Sequence, residues 1–450
     1  MRPLLLLNVV GLTPALLAHA PRLRELAHRP MRGMFPAVTM PAQATMLTGA
    51  PPRAHGVVGN SWYWRELGEV RNWVQANTLL GAEPLYRTAA RLAREKDAAF
   101  SCAKMFWWFN QGSGCEFSAT PKPHYGSDGS KEFDILTEPP ELAAELKSAF
   151  GPFPFPAFWG PRAGLASSGW IARATAHVMQ SRKPTLTLCY LPHLDYELQR
   201  KGEAADVARL AGEVDACAAV VMHAAKQTGA AVLVVSEYGI TGVSRPVYVN
   251  RALRRAGLLR VRDGPFGEML DPTACRAFAV CDHQCAHVYV HDAADLGRVR
   301  ALLESREGVG RVLDRAEQAE LEIDHARCGE LVALSEPGAW FAYHYWLDDA
   351  RAPDFARSVD IHRKPGYDPC ELFMAQSAAG AALTLLRKKL GLRYRFRTCP
   401  LDATLVKGSH GLPPADPQHG PILACSEPAA LPEVAAMTGV KEIALRLMGL

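Results

Sequence analysis

Short, nearly unbroken apolar runs alternate along the chain with longer stretches in which apolar residues recur every three or four positions. Leu4–Val10, Ala98–Ala103, Thr185–Leu191, Ala231–Ser236 and Pro421–Cys425 belong to the first kind, the pattern of strands covered on both faces. Leu80–Arg94, Trp170–Ser181 and Val207–Gln227 belong to the second, the pattern of amphipathic helices. Alternation of the two predicts an α/β fold, a mainly parallel central sheet with helices on both faces. Ligands of such sheets bind beyond the carboxyl ends of the strands, so the polar residues just after Val10, Leu191 and Ser236 are where chemistry is expected. Arg2, the run Leu4–Val10 and the triplet Ala18-His19-Ala20 also imitate a signal peptide. We read Leu4–Val10 as the first strand, turning at Gly11 and Pro14 into a helix, because the site below needs that strand.

The texture changes from about residue 260 to Trp346. Ala277–Val280, Ala286–Val290, Arg311–Leu313, Leu331–Ser335 and Trp340–Tyr345 read as short strands, and Leu296–Ser305 as a helix. The expected organisation is a core over 1–259, a small α+β insertion over 260–346, and a return to the core over 347–450. The return opens with a helix over Glu371–Lys389.

Composition narrows the class without naming a function. The 450 residues are 48% hydrophobic and 21% charged, which is ordinary for a globular protein. A net charge of +4 with no basic stripe argues against a nucleic-acid partner. Eleven cysteines lie scattered without a disulfide-like framework, which favours a reducing, cytoplasmic setting. No apolar run reaches the ~18 residues of a membrane span.

The first chemical candidate is Thr39, in Pro36-Ala37-Val38-Thr39-Met40-Pro41, just before the helical pattern Ala44–Gly49. A helix start presents free N–H groups and a positive dipole end, so a phosphate arriving there meets donors. A hydroxyl at that point becomes a nucleophile if a base or cation lowers its pKa. The plainer alternative is that Thr39 merely caps the helix.

The stretch His55-Gly56-Val57-Val58-Gly59-Asn60 follows. Together the two motifs resemble the alkaline phosphatase superfamily, in its type I phosphodiesterase/nucleotide pyrophosphatase branch. The resemblance implies an alkaline-phosphatase-like core, Thr39 as nucleophile and Asn60 as binder of a phosphoryl oxygen. It also implies two Zn²⁺ ions held by aspartates and histidines at strand ends. Carried over singly, the ligands are Asp195, then Gln199 where the family has histidine, Glu237 and Tyr238 where it has aspartate and histidine, and His410 in Gly408-Ser409-His410-Gly411. The family's first-strand aspartate falls on Val10, with Asn8 two residues back. One divalent ion, most simply Zn²⁺, on Asp195 and His410 with Gln199 is therefore expected rather than two. Plainer roles are a loop histidine for His410 and a capping or surface carboxylate for Glu237.

Three further groups complete the picture. Asp360–Asp368 packs His362, Arg363 and Lys364 into one loop, and His362 and Lys364 are candidates to clamp a phosphoryl oxygen in place of a lost metal; solvated surface cations are the alternative. Cys281, His283, Cys285 and His287 would share one face if their stretch were a strand, spaced ~6.6–7 Å apart, too wide for four ligands on one ion. Packing within a buried hairpin is preferred there. Asn60–Trp64 and Met105–Asn110 are dense in aromatics, either core or walls for a flat leaving group. The expected function is metal-assisted hydrolysis of a phosphate diester or pyrophosphate of a small molecule through a phosphothreonine intermediate. The alternatives are a catalytically degenerate binding protein for a phosphorylated metabolite, and transfer to an acceptor other than water.

Overall fold

The computed structural model describes residues 1–128, 130–392, 394 and 397–450. Its centre is a nine-stranded sheet, in the order Ala435–Ala436, Ala27–Arg32, Ile422–Cys425, Ala231–Val235, Leu4–Val9, Leu186–Leu191, Cys102–Met105, Phe117–Tyr125 and Lys131–Glu138. The five strands from Ala231–Val235 to Phe117–Tyr125 run parallel. Ile422–Cys425 is antiparallel to both of its neighbours, and Lys131–Glu138 closes the far side as an antiparallel edge.

Leu4–Val9 sits at the middle of this sheet, and all six of its residues are buried. Because alternate side chains of a strand point to opposite faces, burial of all six requires cover on both. Leu165–Arg182 and Val207–Gln227 pack together as one helical layer, while Val440–Met448 packs on Thr39–Thr48 and Leu4–Val9. The predicted core strands thus fall within a few residues of their observed bounds. Three strands escape the apolar pattern. Ala27–Arg32 and the hairpin Phe117–Tyr125/Lys131–Glu138 are rich in charged and exposed residues. Their ladders are set by neighbours rather than by their own hydrophobicity.

A second sheet of four antiparallel strands, ordered Ala277–Asp282, Cys285–Val290, Leu331–Ser335 and Val309–Leu313, has its own apolar core around Phe278, Val288 and Tyr289. The return helix spans Ala378–Lys389 rather than starting at Glu371. Pro369–Leu372 instead forms a 3-10 turn, capped by the Asp368 carboxylate accepting from the Cys370 N–H. Among the described residues no helix is long and apolar enough to cross a membrane.

Candidate active site

Thr39 is the first residue of the helix Thr39–Thr48, and Val38 occupies the capping position without a side-chain bond. The Thr39 hydroxyl is buried and lies 3.0 Å from the Tyr238 hydroxyl, so it is not used as a cap. Few helix-start donors remain for a phosphate. Pro41 has no N–H, and the Met40 N–H donates to Asn60 Oδ1 at 2.9 Å. Asn60 is fixed in turn by Asp282, whose carboxylate accepts from the Asn60 backbone N–H (2.7 Å) and from Nδ2 (3.2 Å).

Glu237 follows the strand Ala231–Val235 and is fully buried. Its Oε1 accepts from Asn8 Nδ2 and Gln43 Nε2, each at 2.7 Å, and its Oε2 has no hydrogen-bond partner. The Gln43 carbonyl accepts from the Trp108 backbone N–H at 2.8 Å, which brings the aromatic segment Met105–Asn110 up to the site. Burial pushes the Glu237 carboxyl up to about 8, against the downward pull of Gln43, Asn8 and Thr39.

Asp195 lies in the first turn of His193–Lys201, after the strand Leu186–Leu191. Gln199, one helical turn on, donates from Nε2 to Asp195 Oδ2 at 2.8 Å and accepts from the Tyr367 hydroxyl at 2.9 Å. Burial pushes Asp195 up to about 7, with Gln199 and Tyr238 pulling it down. The Tyr238 hydroxyl stands between nucleophile and carboxylate, 3.0 Å from Thr39 Oγ1 and 3.4 Å from Asp195 Oδ1.

His410 arrives from the far end of the chain. Its Nδ1–H donates to the Ala37 carbonyl at 2.8 Å, which leaves Nε2 unprotonated and 3.8 Å from Asp195 Oδ1. Gly411, at φ +123, lets this loop run against the turn at Gln284, since a Cβ there would meet the Gln284 nitrogen at 2.9 Å. The His410 ring stacks on Tyr238 (3.6 Å, 9° between planes) and on His283 (3.6 Å, 34°), and His283 stacks on Tyr367 (3.8 Å, 24°). Burial holds both imidazoles well below the usual histidine range, and for His410 the neighbouring His283 adds to the effect.

The structure therefore brings Thr39, Asn60, Asp195, Gln199, Glu237 and His410 together, and leaves out the two expected cations. Lys364 is 1% exposed at its side chain and pairs with Asp368 and Glu371, each at 2.7 Å. Two carboxylates hold its ammonium, so it is no free clamp for a phosphoryl group. His362 reaches the surface but is partly packed, burial lowering its pKa, and it bonds through Nδ1 to the Asn72 carbonyl at 3.2 Å. The face expected for Cys281, His283, Cys285 and His287 is broken by a two-residue turn at His283-Gln284. His287 bonds to the Val58 carbonyl at 2.9 Å, and only His283 joins the stack beside the site. Tyr238 and His283 are the side chains whose place beside the site sequence reasoning did not anticipate; the positive φ of His283, +58°, is a signal only coordinates carry.

The donor set fits one ion better than two. Val10 offers no ligand atom, Glu237 has one oxygen held by Asn8 and Gln43 and only the other free, and the Tyr238 hydroxyl occupies the space between Thr39 and Asp195. Asp195 and His410 present a carboxylate oxygen and a bare imidazole nitrogen across 3.8 Å, two lone-pair donors that a cation would reconcile. Gln199 turns its amide N–H to Asp195 and its carbonyl to Tyr367, and in this arrangement it orients the Asp195 carboxylate.

A buried hydroxyl, an amide and a carboxylate–imidazole pair thus meet beyond the strand ends of an alkaline-phosphatase-like sheet. The chain belongs to the type I phosphodiesterase/nucleotide pyrophosphatase family, whose model matches residues 4–368, and so to enzymes that hydrolyse phosphodiester or pyrophosphate bonds. His410 lies beyond the matched stretch. Two solved structures show the same fold. Murine ectonucleotide pyrophosphatase/phosphodiesterase 5, as an inactive threonine-to-alanine variant in complex with AMP, is 12% identical with a TM-score of 0.61, over 100% of this chain and 96% of that one. Phosphonoacetate hydrolase from Sinorhizobium meliloti, in complex with phosphonoformate, is 16% identical with a TM-score of 0.59, over 99% of this chain and 96% of that one. No curated protein matches the sequence significantly.

Proposed function

We propose that the protein hydrolyses a phosphate diester or pyrophosphate of a small molecule, with Thr39 as the nucleophile that becomes transiently phosphorylated. The observation that carries this reading is the buried Thr39 hydroxyl, 3.0 Å from Tyr238 at a helix start held by Asn60 through the Met40 N–H, with the unpartnered oxygen of Glu237 beside it. Glu237 acts as the base. Its Oε1 is fixed by Asn8 and Gln43, its Oε2 is left to receive the Thr39 proton, and its raised pKa suits transfer near neutral pH. Tyr238 holds the Thr39 oxygen in line. Asn60 keeps the helix start in place through Met40, and the second hydrogen of its Nδ2 is available to a phosphoryl oxygen.

Asp195 and His410 are the residues that would hold a single divalent ion, which when bound neutralises charge on the phosphoryl group. As the Thr39 Oγ1–P bond forms, the bond to the leaving alcohol or phosphate breaks. Water then displaces Thr39 from phosphorus, and Glu237 returns its proton to Thr39 Oγ1. The remaining phosphate monoester leaves with one water proton, while the other goes to the first leaving group. We also assign the protein to the cytoplasm, because all eleven cysteines are free and buried.

The test is hydrolysis of bis-p-nitrophenyl phosphate with added Zn²⁺, Mn²⁺ or Mg²⁺, alongside metal content. One ion per chain and turnover lost in Thr39→Ala support the reading. No turnover with any metal overturns it in favour of a binding protein for a phosphorylated metabolite, a reading that Val10 and Tyr238 at ligand positions favour.

A further inference from the structure

Among the described residues from 376 to 397 none is buried, yet this stretch holds the 12-residue helix Ala378–Lys389. A helix of that length is marginal in water and draws its stability from covering an apolar face. Its ends are nonetheless specified. The Ser377 hydroxyl accepts from the Gly380 N–H at 3.3 Å, and Gly391, at φ +67, lets the Leu392 N–H donate to the Arg387 carbonyl at 3.0 Å. The segment leaves and re-enters the fold at one place, where the Ala375 N–H donates to the Thr398 carbonyl and the Thr398 N–H to the Arg357 carbonyl, each at 2.7 Å.

We propose that this helix docks flat on an anionic phospholipid surface, lying in the head-group layer without crossing it. Two patterns carry the inference. Leu383, Leu386 and Leu390 fall at i, i+3 and i+7 on one face, and Leu392 continues the row; all four are between 51% and 63% exposed. Such a row differs from the singly scattered apolar residues of an ordinary surface. Arg387 and Lys389 are exposed too, and at 3.6 residues per turn they flank the leucine row on its two sides. Flanking cations reach head groups while the leucines enter the acyl boundary.

Charge selects the occupant. Between Glu371 and Asp402 the sequence holds Arg387, Lys388, Lys389, Arg393, Arg395 and Arg397 and no Asp or Glu. The whole chain carries +4, so these six leave −2 on the remainder, a local concentration that the overall balance conceals. A second copy would set six like charges against six. A nucleic acid would pair with the cations and leave the leucines in water. Anionic lipid answers both, and each cation near such a surface strengthens binding about fivefold. The cytoplasmic leaflet is the anionic one, in keeping with the compartment proposed above.

The test is co-sedimentation of the full chain with phosphatidylcholine vesicles, with and without added phosphatidylserine. The wild type is compared with Arg387→Gln/Lys389→Gln and with Leu383→Ser/Leu386→Ser/Leu390→Ser, after thermal melting shows that these exposed positions leave the fold intact. The expected result is binding that requires phosphatidylserine, weakens with salt, falls about 30-fold in the glutamine variant and falls at least ~10-fold in the serine variant. No binding to phosphatidylserine vesicles at low salt overturns the inference, as does equal binding to phosphatidylcholine alone or variants that bind like wild type. A wild-type dimer in light scattering that the serine variant dissolves overturns it in favour of a second copy on this face.

Discussion

Lys364 separates two roles with one substitution. As a phosphoryl clamp, its loss would raise KM and leave the fold intact. As a buried counter-ion, its loss would strand two carboxylates. In the structure, Asp368 and Glu371 each lie 2.7 Å from its ammonium, and all three side chains are at most 3% exposed. At an effective dielectric of about 20, each such pair is worth about 6 kcal/mol before desolvation, most of which the burial of the ions cancels. Removing one member of a buried ion group costs roughly 3–5 kcal/mol, because the partners stay behind without compensation. Glu371 softens the loss. Burial already pushes its carboxyl up against the pull of Lys364, so it takes a proton once the ammonium is gone. We expect Lys364→Met to lose about 3–5 kcal/mol in chemical denaturation at neutral pH, with KM for bis-p-nitrophenyl phosphate unchanged where the variant is folded. Adding Asp368→Asn and Glu371→Gln should recover most of that stability. A Lys364→Met chain that denatures like wild type while its KM rises refutes the assignment.

The remaining predictions concern the site and its support. Thr39→Ala should abolish turnover while equilibrium dialysis still detects a bound phosphate ester; residual turnover would remove Thr39 from the nucleophile's place. Tyr238→Phe, which deletes the hydroxyl 3.0 Å from Thr39 Oγ1, should lower kcat about fivefold with little change in KM, the effect of a hydrogen bond worth roughly 1 kcal/mol. His55 is kept neutral in the fold, its Nδ1 accepting from the Val57 N–H and its Nε2–H donating to Thr45, and burial lowers its pKa to about 3. The unfolded chain binds that proton below pH ~6.5 and the folded chain does not, so stability is lost as pH falls from there towards 3. Between pH 7 and pH 5 this one group should cost about 2 kcal/mol in denaturation measurements. His55→Asn should be that much less pH-dependent than wild type, and equal slopes would contradict the buried neutral ring.

The centre of the sheet was legible because its strands are buried on both faces and read as uninterrupted apolar runs, with Leu4–Val9 the clearest. The hairpin Phe117–Tyr125/Lys131–Glu138 was not, because an edge ladder half open to water needs no apolar run. In the site, Thr39 and Asn60 were legible as a spaced pair of motifs, and their meeting through the Met40 N–H gives that spacing its physical sense. Lys364 misled, since a cation in a polar loop looks the same in sequence whether it meets solvent, substrate or buried carboxylates. Tyr238 and His283 depend on ring contacts between segments far apart in the chain, which no local pattern encodes.

The order of strands bears on how the chain is made. Ala27–Arg32 is parted from Ala231–Val235 by Ile422–Cys425, which bonds to both and leaves the ribosome long after either. For that interval, on the order of 10–40 s at ~5–20 residues per second, the nascent sheet carries an open edge where a strand is still owed. Open edges recruit strands from other chains, so overexpression should tax chaperones most while the last segment is being translated. His410 emerges only shortly before Ile422–Cys425, so the residues of the candidate site are all present only as this gap in the sheet is filled.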